Sequence, residues 1–320
     1  MARLVLVGPD EKNMPPDLLE RLGGLAEYRY VGRPLGEELA EAEVLVAGSQ
    51  RVDGAFLDRA PALRLVARFG VGYDSVDVDE CTRRGVYVTH TPGVLSGGVA
   101  DHTWALILGF NRRLVEADAY ARGGWGRGEP YIGFGWDLEG KTLGILGLGR
   151  IGLEVLKRSV GFGVRTIYHD LVRRPEAEEE YGARYVSFEE LLRQSDILTI
   201  HVALTESTRG LLDGEALSKM KPTALLVNTS RGGVVDEDAL VEALREGWIR
   251  GAALDVFREE PLPPGSPLTS MGNVLLTPHC ASATWETRRK MAECVLENVE
   301  AYLKGETPPN LVPEQKGLVF

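Results

Sequence analysis

The sequence TLGILGLGRIG, residues 142–152, places a glycine-rich turn directly between a short apolar run and a helical stretch. The turn has the pattern G-x-G-x-x-G, which is formed by Gly147, Gly149 and Gly152 with Arg150 and Ile151 between them. In this pattern the first glycine permits a tight turn, the second lets the backbone approach a pyrophosphate, and the third allows close packing of helix on strand. Free N–H groups at the start of the helix then favour the phosphate charge. The stretch therefore predicts a dinucleotide-binding unit.

Asp170 is the second part of this predicted cofactor site. It follows a strand-like run at residues 164–168 and stands eighteen residues after Gly152. A carboxylate at about this distance suits the ribose hydroxyls of NAD and repels the extra phosphate of NADP. Arg173 and Arg174 follow closely and are able to accept that phosphate instead. The sequence therefore favours NAD and leaves NADP open.

Three ionisable residues recur in one setting further along the chain, each a few positions after an apolar run. They are Arg231, Glu260 and His279, and the runs before them occupy residues 225–228, 252–256 and 274–277. Since ligands bind outside the carboxyl ends of the strands in an open parallel sheet, we expect these side chains to gather at one sheet edge. A guanidinium, a carboxylate and an imidazole together indicate acid–base chemistry on an anionic substrate. Taken singly, each also fits a structural role, as a surface arginine, a loop acid or a core histidine.

The composition limits the class of protein. Of the 320 residues, 44% are hydrophobic and 26% are charged, and the formal net charge is −11. The length favours two domains. The negative charge, without a basic cluster among aromatics, argues against nucleic-acid binding. The sequence shows neither a signal-peptide pattern nor an apolar run near the roughly 18 residues of a membrane span. We expect a cytoplasmic protein with no membrane or nucleic-acid partner.

The three cysteines predict neither a disulfide framework nor a metal site. Cys81, Cys280 and Cys294 include no C-x-x-C spacing. Cys280 follows His279 directly, and its interpretation as a small residue packed beside the site is favoured over that of a nucleophile.

The order of predicted elements indicates an α/β fold. Short strand-like runs alternate with helical stretches over the first hundred residues, which is typical of βα units on a parallel sheet. A long helix is predicted at about 99–121, and a loop rich in glycine and aromatic residues follows at 123–140. A second α/β run begins at Lys141, and a last helix is predicted from Thr287 to Gly305.

Several segments resemble signature blocks of the D-isomer-specific 2-hydroxyacid dehydrogenases. They are GVGYDSVD at 70–77, TPG at 91–93, NTSRG at 228–232, ALDVF at 253–257 with the pair Glu260–Pro261, and TPHCAS at 277–282. The resemblance extends from about Leu65 to Leu311, and on this basis the chain is identified as a member of that family.

The resemblance implies two Rossmann-like, doubly wound parallel-sheet domains with the active site in the cleft between them. It assigns residues 1–98 and 287–320 to a flavodoxin-like substrate-binding domain and residues 99–286 to the NAD-binding Rossmann domain. It also implies a homodimer, with the helix near 99–121 and the aromatic loop after it at the interface.

The resemblance also implies the catalytic roles. Arg231 binds the substrate carboxylate and polarises the 2-keto oxygen, since a guanidinium offers fixed donors. His279 acts as general acid in reduction and general base in oxidation. Glu260 pairs with His279, fixes its tautomer and favours its charged form. Backbone N–H groups of Val71 and Gly72 hold the substrate carboxylate.

Further cofactor contacts follow from the same resemblance. Asp255 is expected at the nicotinamide carboxamide, and Thr103 either approaches the nicotinamide or lies on the helix surface. The remaining cofactor-binding residues are Ala203, Thr229, Ser230, Arg231, His279 and Ala281. Ala203 stands where many family members carry proline, which should soften that loop without abolishing binding.

The activity implied is NAD(H)-dependent reduction of a small 2-keto acid of the glyoxylate or hydroxypyruvate type. The segment GFGWDL at 133–138 resembles reductases of that type. D-3-phosphoglycerate dehydrogenase is the alternative, although the segment AGSQR at 47–51 lacks the arginine at the position usual there. Formate oxidation is disfavoured, because formate-oxidising relatives carry glutamine where Glu260 stands. An alternative of another class is an NAD-sensing, corepressor-like binding protein.

Overall fold

The computed structural model describes residues 4–8, 14–30 and 35–320. The chain divides into two units, and each is described by itself. Unit 1 comprises Met1–Leu95 with Ser282–Phe320, and unit 2 comprises Ser96–Ala281. The α/β class predicted from the sequence is confirmed, because the described residues of each unit build a parallel sheet with helices.

The strands of unit 1 form a parallel sheet in the order β2-β1-β3-β4-β5, and those of unit 2 form one in the order β12-β11-β10-β9-β6-β7-β8. In chain order the described strands are β1 (Leu4–Val7), β2 (Glu27–Tyr30), β3 (Val44–Ala47), β4 (Leu65–Arg68), β5 (Tyr87–Thr89), β6 (Thr142–Leu146), β7 (Arg165–His169), β8 (Arg184–Tyr185), β9 (Ile197–Ile200), β10 (Leu225–Asn228), β11 (Gly251–Leu254) and β12 (Val274–Leu276).

The described helices are α1 (Pro16–Gly23), α2 (Gly54–Asp58), α3 (Val78–Arg83), α4 (Ser96–Asn111), α5 (Leu114–Gly123), α6 (Arg150–Ser159), α7 (Pro175–Tyr181), α8 (Phe188–Gln194), α9 (Gly214–Ser218), α10 (Glu237–Arg245) and α11 (Trp285–Leu303). Several begin at a side chain that accepts a first-turn N–H, as such caps do. These caps are Asp53, Asp77, Ser187, Asp213, Asp236 and Thr284. Within the described parts of the chain, no helix has the length and apolar character needed to cross a membrane.

The continuous apolar runs become strands because both sheet faces are covered. Along β10, Leu226 enters one hydrophobic cluster, whereas Leu225 and Val227 enter a second one on the opposite face. A strand buried on both faces reads as an unbroken apolar run. The edge strand β2, with the sequence EYRY, is polar and mostly exposed. This layering leaves the loops after the strand ends to carry the polar side chains of the site.

The single long helix predicted at 99–121 is wrong, because two helices occupy this stretch. Helix α4 ends at Asn111 and α5 begins at Leu114. Arg113 lies between them with φ 52°, in the left-handed region that ends helices. Neither glycine nor proline stands at this break, so the usual sequence signals for a helix end were missing. Helix α4 carries many buried residues, whereas α5 has none.

Helix α11 belongs to unit 1 and packs against its sheet. Leu296 and Val299 are 1% exposed, and the Tyr302 hydroxyl donates to Glu43 at 2.6 Å. Glu300 also pairs with Arg21 of α1. The last helix is therefore part of the same core as the N-terminal strands.

Candidate active site

The glycine-rich turn between β6 and α6 leaves space for a phosphate group. Gly147 has φ 92°, and a Cβ atom there would lie 2.9 Å from the backbone of His201. A Cβ on Gly152 would lie 2.1 Å from the Gly147 carbonyl oxygen, so helix and strand could not pack as they do. A Cβ on Gly149, by contrast, would meet nothing within 4 Å. The backbone is thus open at the N-terminus of α6, where Arg150 and Ile151 form the first turn, and the site fits a pyrophosphate.

Asp170 lies beside this turn. Its Oδ2 accepts the backbone N–H of Leu148 at 2.6 Å, and its Oδ1 accepts that of Val172 at 3.3 Å. The first bond joins the end of β7 to the glycine-rich turn. The carboxylate is only half-buried, so it keeps lone pairs for the hydroxyls of a ribose. This geometry fits a dinucleotide whose ribose lies next to its pyrophosphate.

His279 and Glu260 form a hydrogen-bonded pair. His279 Nδ1 lies 2.6 Å from Glu260 Oε2, and the two side chains are 46% and 32% exposed. Burial opposes ionisation of Glu260, but the His279 imidazole, the Phe257 N–H and the charge of Arg231 together hold its pKa below the usual range. Because Nδ1 is engaged by the carboxylate, Nε2 is the nitrogen left to face a substrate. The pair therefore has the arrangement of an oriented acid–base imidazole.

Arg231 follows β10, in a loop fixed by its neighbours. The Asn228 amide group donates to the Arg231 carbonyl at 2.9 Å and accepts the Ser230 N–H at 3.0 Å. At Gly232, a Cβ atom would lie 2.0 Å from the carbonyl carbon of Phe257. This close approach packs the loop that carries Arg231 against the loop that leads to Glu260. The guanidinium, the carboxylate and the imidazole are therefore gathered at one edge of the sheet.

Asp255 anchors the turn that carries His279. This carboxylate is fully buried, and its Oδ1 accepts the Thr277 hydroxyl at 2.6 Å and the Cys280 N–H at 2.9 Å. Its Oδ2 accepts the Ala281 N–H at 2.9 Å, and its backbone carbonyl accepts the His279 N–H at 2.8 Å. Burial opposes ionisation, but the His102 imidazole, the Thr277 hydroxyl and the N–H groups of Cys280 and Ala281 hold the pKa of the Asp255 carboxyl below its usual range. The turn keeps His279 at φ 51°, a conformation that needs such support.

His102 of α4 extends this network, and sequence reasoning missed it. Its Nε2 lies 3.0 Å from Thr277 Oγ1 and 3.4 Å from Asp255 Oδ1. Since the Thr277 hydroxyl already gives its proton to Asp255, it accepts one from His102 Nε2. Cys280 also lies near this group, but the carboxylate is taken up by hydrogen bonds and burial raises the pKa of the thiol. We assign the cluster to positioning of the turn rather than to a metal.

The other predicted cofactor residues, Ala203, Thr229 and Ser230, lie in the loops after β9 and β10, and Thr103 of α4 contacts one of them. Thr229 Oγ1 lies 2.9 Å from Thr103 Oγ1. Thr103 is completely buried, so the helix-surface alternative for this residue is wrong. The Ser230 hydroxyl donates to the Val202 carbonyl. The Ala203 carbonyl accepts the Thr208 hydroxyl at 2.6 Å, which holds that loop in place.

Val71 and Gly72 lie in unit 1, in the turn after β4. The Arg68 guanidinium donates to the Gly72 carbonyl at 2.9 Å, and His90 Nδ1 donates to the Val71 carbonyl at 2.9 Å. Within the described residues, the N–H groups of Val71 and Gly72 have no protein acceptor. Two fixed, free N–H groups in succession are suited to hold a carboxylate.

Comparison with known proteins identifies the class of the nucleotide-binding part. Residues 104–281 match the family described as D-isomer specific 2-hydroxyacid dehydrogenase, NAD binding domain. The chain is 55% identical over 269 residues to a glyoxylate reductase of Aeropyrum pernix, covering 82% of this chain and 80% of that protein.

Two solved structures with bound cofactor have the same fold. The NADPH-dependent glyoxylate/hydroxypyruvate reductase of Sinorhizobium meliloti, in complex with NADP and malonate, has a TM-score of 0.88 at 36% identity and covers 98% of each chain. The D-lactate dehydrogenase of Aquifex aeolicus, complexed with NAD and lactic acid, has a TM-score of 0.86 at 31% identity, covering 96% of this chain and 98% of that one.

Proposed function

Because this chain belongs to the D-isomer-specific 2-hydroxyacid dehydrogenase family, we propose that it reduces glyoxylate and hydroxypyruvate to the corresponding 2-hydroxy acids. It is an oxidoreductase that acts on 2-hydroxy acids and uses a nicotinamide cofactor, as the sequence predicted. The substrate choice is supported by the glyoxylate reductase with which the chain shares more than half of its aligned residues. The hydrogen bond between His279 and Glu260 is the observation that supports acid–base catalysis at this site.

We assign the acid–base step to His279. When bound, the reduced nicotinamide cofactor supplies the hydride. Arg231 holds the substrate carboxylate and polarises the keto oxygen, because its planar fork of donors matches both. His279 Nε2 donates a proton to the keto oxygen, while the Glu260 carboxylate at Nδ1 stabilises the imidazolium beforehand. In the oxidative direction, neutral Nε2 takes the proton back from the hydroxyl.

The cofactor assignment favours NAD over NADP. The Asp170 carboxylate beside the glycine-rich turn is suited to ribose hydroxyls and repels a 2′-phosphate. Gly147, Gly149, Arg150, Ile151 and Gly152 would hold the pyrophosphate. The remaining nucleotide contacts are assigned to Ala203, Thr229, Ser230, Arg231, Asp255, His279 and Ala281.

We propose that the two domains predicted from the sequence have the separate binding roles predicted for them. Residues 1–98 with 287–320 would bind the substrate through the free N–H groups of Val71 and Gly72, and residues 99–286 would bind NAD. A cytoplasmic location stays a prediction.

A homodimer is proposed from the exposed apolar surface of α5 and the loop after it. Leu114, Val115, Trp125, Tyr131 and Phe134 are all exposed, Phe134 to 89%. A cluster of exposed large apolar side chains on one segment is typical of a protein interface. Sedimentation of the purified protein should give twice the mass of the chain, and Phe134→Glu should shift it to the monomer.

The activity is tested by following NADH oxidation with four keto acids in parallel: glyoxylate, hydroxypyruvate, pyruvate and 3-phosphohydroxypyruvate. We expect the highest kcat/KM with glyoxylate or hydroxypyruvate, and a repeat with NADPH gives the cofactor preference. A preference for 3-phosphohydroxypyruvate would identify a phosphoglycerate dehydrogenase instead. Nucleotide binding without turnover of any keto acid would indicate the NAD-sensing binding protein.

A further inference from the structure

Arg173 stands three residues after Asp170 and is held in a two-point ion pair with Glu178 of α7. Its Nε lies 2.8 Å from Glu178 Oε1, and its Nη2 lies 2.7 Å from Glu178 Oε2. The Glu178 side chain is only 18% exposed, against 63% for Arg173. Two parallel N–H···O bonds fix the orientation of a guanidinium as well as its position. Two of the five N–H donors of Arg173 are therefore engaged by Glu178, which also balances its charge and fixes its orientation.

Tyr168, which is fully buried in β7, fixes this ion pair to the core. Its hydroxyl donates to Glu178 Oε1 at 2.7 Å and accepts the backbone N–H of Arg174 at 2.7 Å. The hydrogen bonds from Arg173 and Tyr168 lower the pKa of Glu178 to about 2. The carboxylate thus stays ionised at any pH at which the protein would work. The ion pair and the loop after Asp170 are held by one buried hydroxyl.

We propose that Glu178 is a second determinant of cofactor choice, because it withholds Arg173 from the 2′-phosphate of NADP. This inference rests on the cofactor site proposed above. An arginine near the strand-end acid is the group that accommodates the 2′-phosphate in this fold. Here that arginine is neutralised by a carboxylate of its own chain. Since the related S. meliloti enzyme is NADPH-dependent, the fold itself does not exclude the phosphate.

Arg174 is the competing candidate for phosphate binding. Its side chain is exposed, and no ion pair is formed by it within the described residues. Its backbone is tied to Tyr168, so the side chain leaves the loop from a fixed point. A test of the proposal must therefore separate release of Arg173 from a contribution of Arg174.

The test measures the affinity of the full-length protein for 2′,5′-ADP, which carries the 2′-phosphate without the nicotinamide, and for ADP, by calorimetry. Glu178→Gln should raise the affinity for 2′,5′-ADP roughly tenfold, because one charge-assisted contact is released. Affinity for ADP should change by less than about twofold, since the Asp170 contacts remain. The ratio of kcat/KM with NADPH to that with NADH should rise in parallel. The matched control Glu176→Gln removes the same charge from the same helix and should change neither affinity. An equal rise in that control would overturn the proposal.

Arg173→Ala tests the proposal by removing the arginine itself. Because Arg173 is exposed, the substitution should leave the fold intact. Because Arg173 is already withheld, this change should leave the affinity for 2′,5′-ADP unaltered. In the double variant Glu178→Gln/Arg173→Ala, the gain should be lost. A fall in affinity in Arg173→Ala that persists in the double variant would overturn the proposal, because Arg173 would then already bind the phosphate. A gain that survives in the double variant would also overturn it and would assign the phosphate to Arg174.

These affinities involve no keto acid, so they remain informative if the proposed glyoxylate reduction fails. A protein that binds ADP and shows the predicted pattern, yet reduces no keto acid, would support the ion-pair proposal and contradict the proposed substrate. A protein that binds neither nucleotide would overturn the cofactor site and the ion-pair proposal together.

Discussion

Glu260 Oε2 lies 2.6 Å from His279 Nδ1, although the two residues come from the loops after β11 and β12. The strands are parallel neighbours, so their carboxyl ends meet at one edge and the side chains beyond them come together. The pairing leaves Nε2 of the imidazole to act on a substrate and supplies the charge that stabilises its protonated form.

Replacement of His279 by alanine should remove the proton donor. We expect kcat for glyoxylate reduction to fall by roughly 10²–10⁴, as is typical when general acid–base catalysis is lost. The Kd for NADH, measured by fluorescence titration, should change little, because the glycine-rich turn and Asp170 would supply most of the contacts that hold the dinucleotide. Near-normal turnover in this variant would rule out His279 as the general acid.

The Glu260→Gln variant tests the pairing through its pH dependence. The amide keeps the shape of the side chain but removes the charge that stabilises the imidazolium. Reduction requires protonated His279, and the substitution removes the negative charge that favours this form. On the alkaline limb of the pH profile, kcat/KM for reduction falls as the pH rises. This limb should therefore move to lower pH in the variant. If the limb stays in place, the carboxylate does not govern the imidazole.

Arg231 should act on the substrate and not on the imidazole. In Arg231→Ala we expect a higher KM for glyoxylate together with a lower kcat, because the substrate carboxylate loses its main cation. Arg231→Lys should recover only part of both, since an ammonium cannot reproduce the planar fork. Full recovery by lysine would indicate that only the charge is needed.

The anchor of the His279 turn gives a separate prediction. Thr277→Val keeps the branched shape but removes the hydroxyl that joins His102 to Asp255. The turn should lose its fixed geometry, so kcat should fall by about tenfold, as one lost hydrogen bond to a buried charge would suggest. The matched variant Thr269→Val removes an exposed hydroxyl and should leave kcat unchanged. A fall in melting temperature without loss of kcat in Thr277→Val would assign a purely structural role to the hydroxyl.

The features that could be predicted from the sequence are those that follow from strand periodicity and from the geometry of strand ends. Apolar runs such as 225–228 became buried strands, and Arg231, Glu260 and His279 follow strands that pair side by side. These features depend on local pattern and on the rule that parallel strands end together. The membership of the family and the nicotinamide cofactor, also predicted, are confirmed by the comparisons.

Other features depended on side-chain contacts and backbone conformations that spacing in the sequence does not indicate. His102 reaches Thr277 across 175 positions, and no spacing in the sequence indicates that contact. The break at Arg113 lacks the glycine or proline that usually marks a helix end. The ion pair of Arg173 with Glu178 lies within five positions, yet the sequence equally allowed a free arginine. Side-chain packing in the folded protein determines these contacts and this helix end, and the sequence pattern alone does not show it.

Helix α11 gives a prediction about stability. Leu296 is 1% exposed, so Leu296→Ala should leave a cavity and lower the free energy of unfolding by about 2–5 kcal/mol. Glu297 is the matched control, because it is exposed on the same helix and Glu297→Ala should change stability by less than about 0.5 kcal/mol. Denaturant unfolding followed by circular dichroism measures both. Since α11 shares a core with the N-terminal strands, the loss should appear in the transition of unit 1. Equal stability of the two variants would show that this helix contributes little to the core.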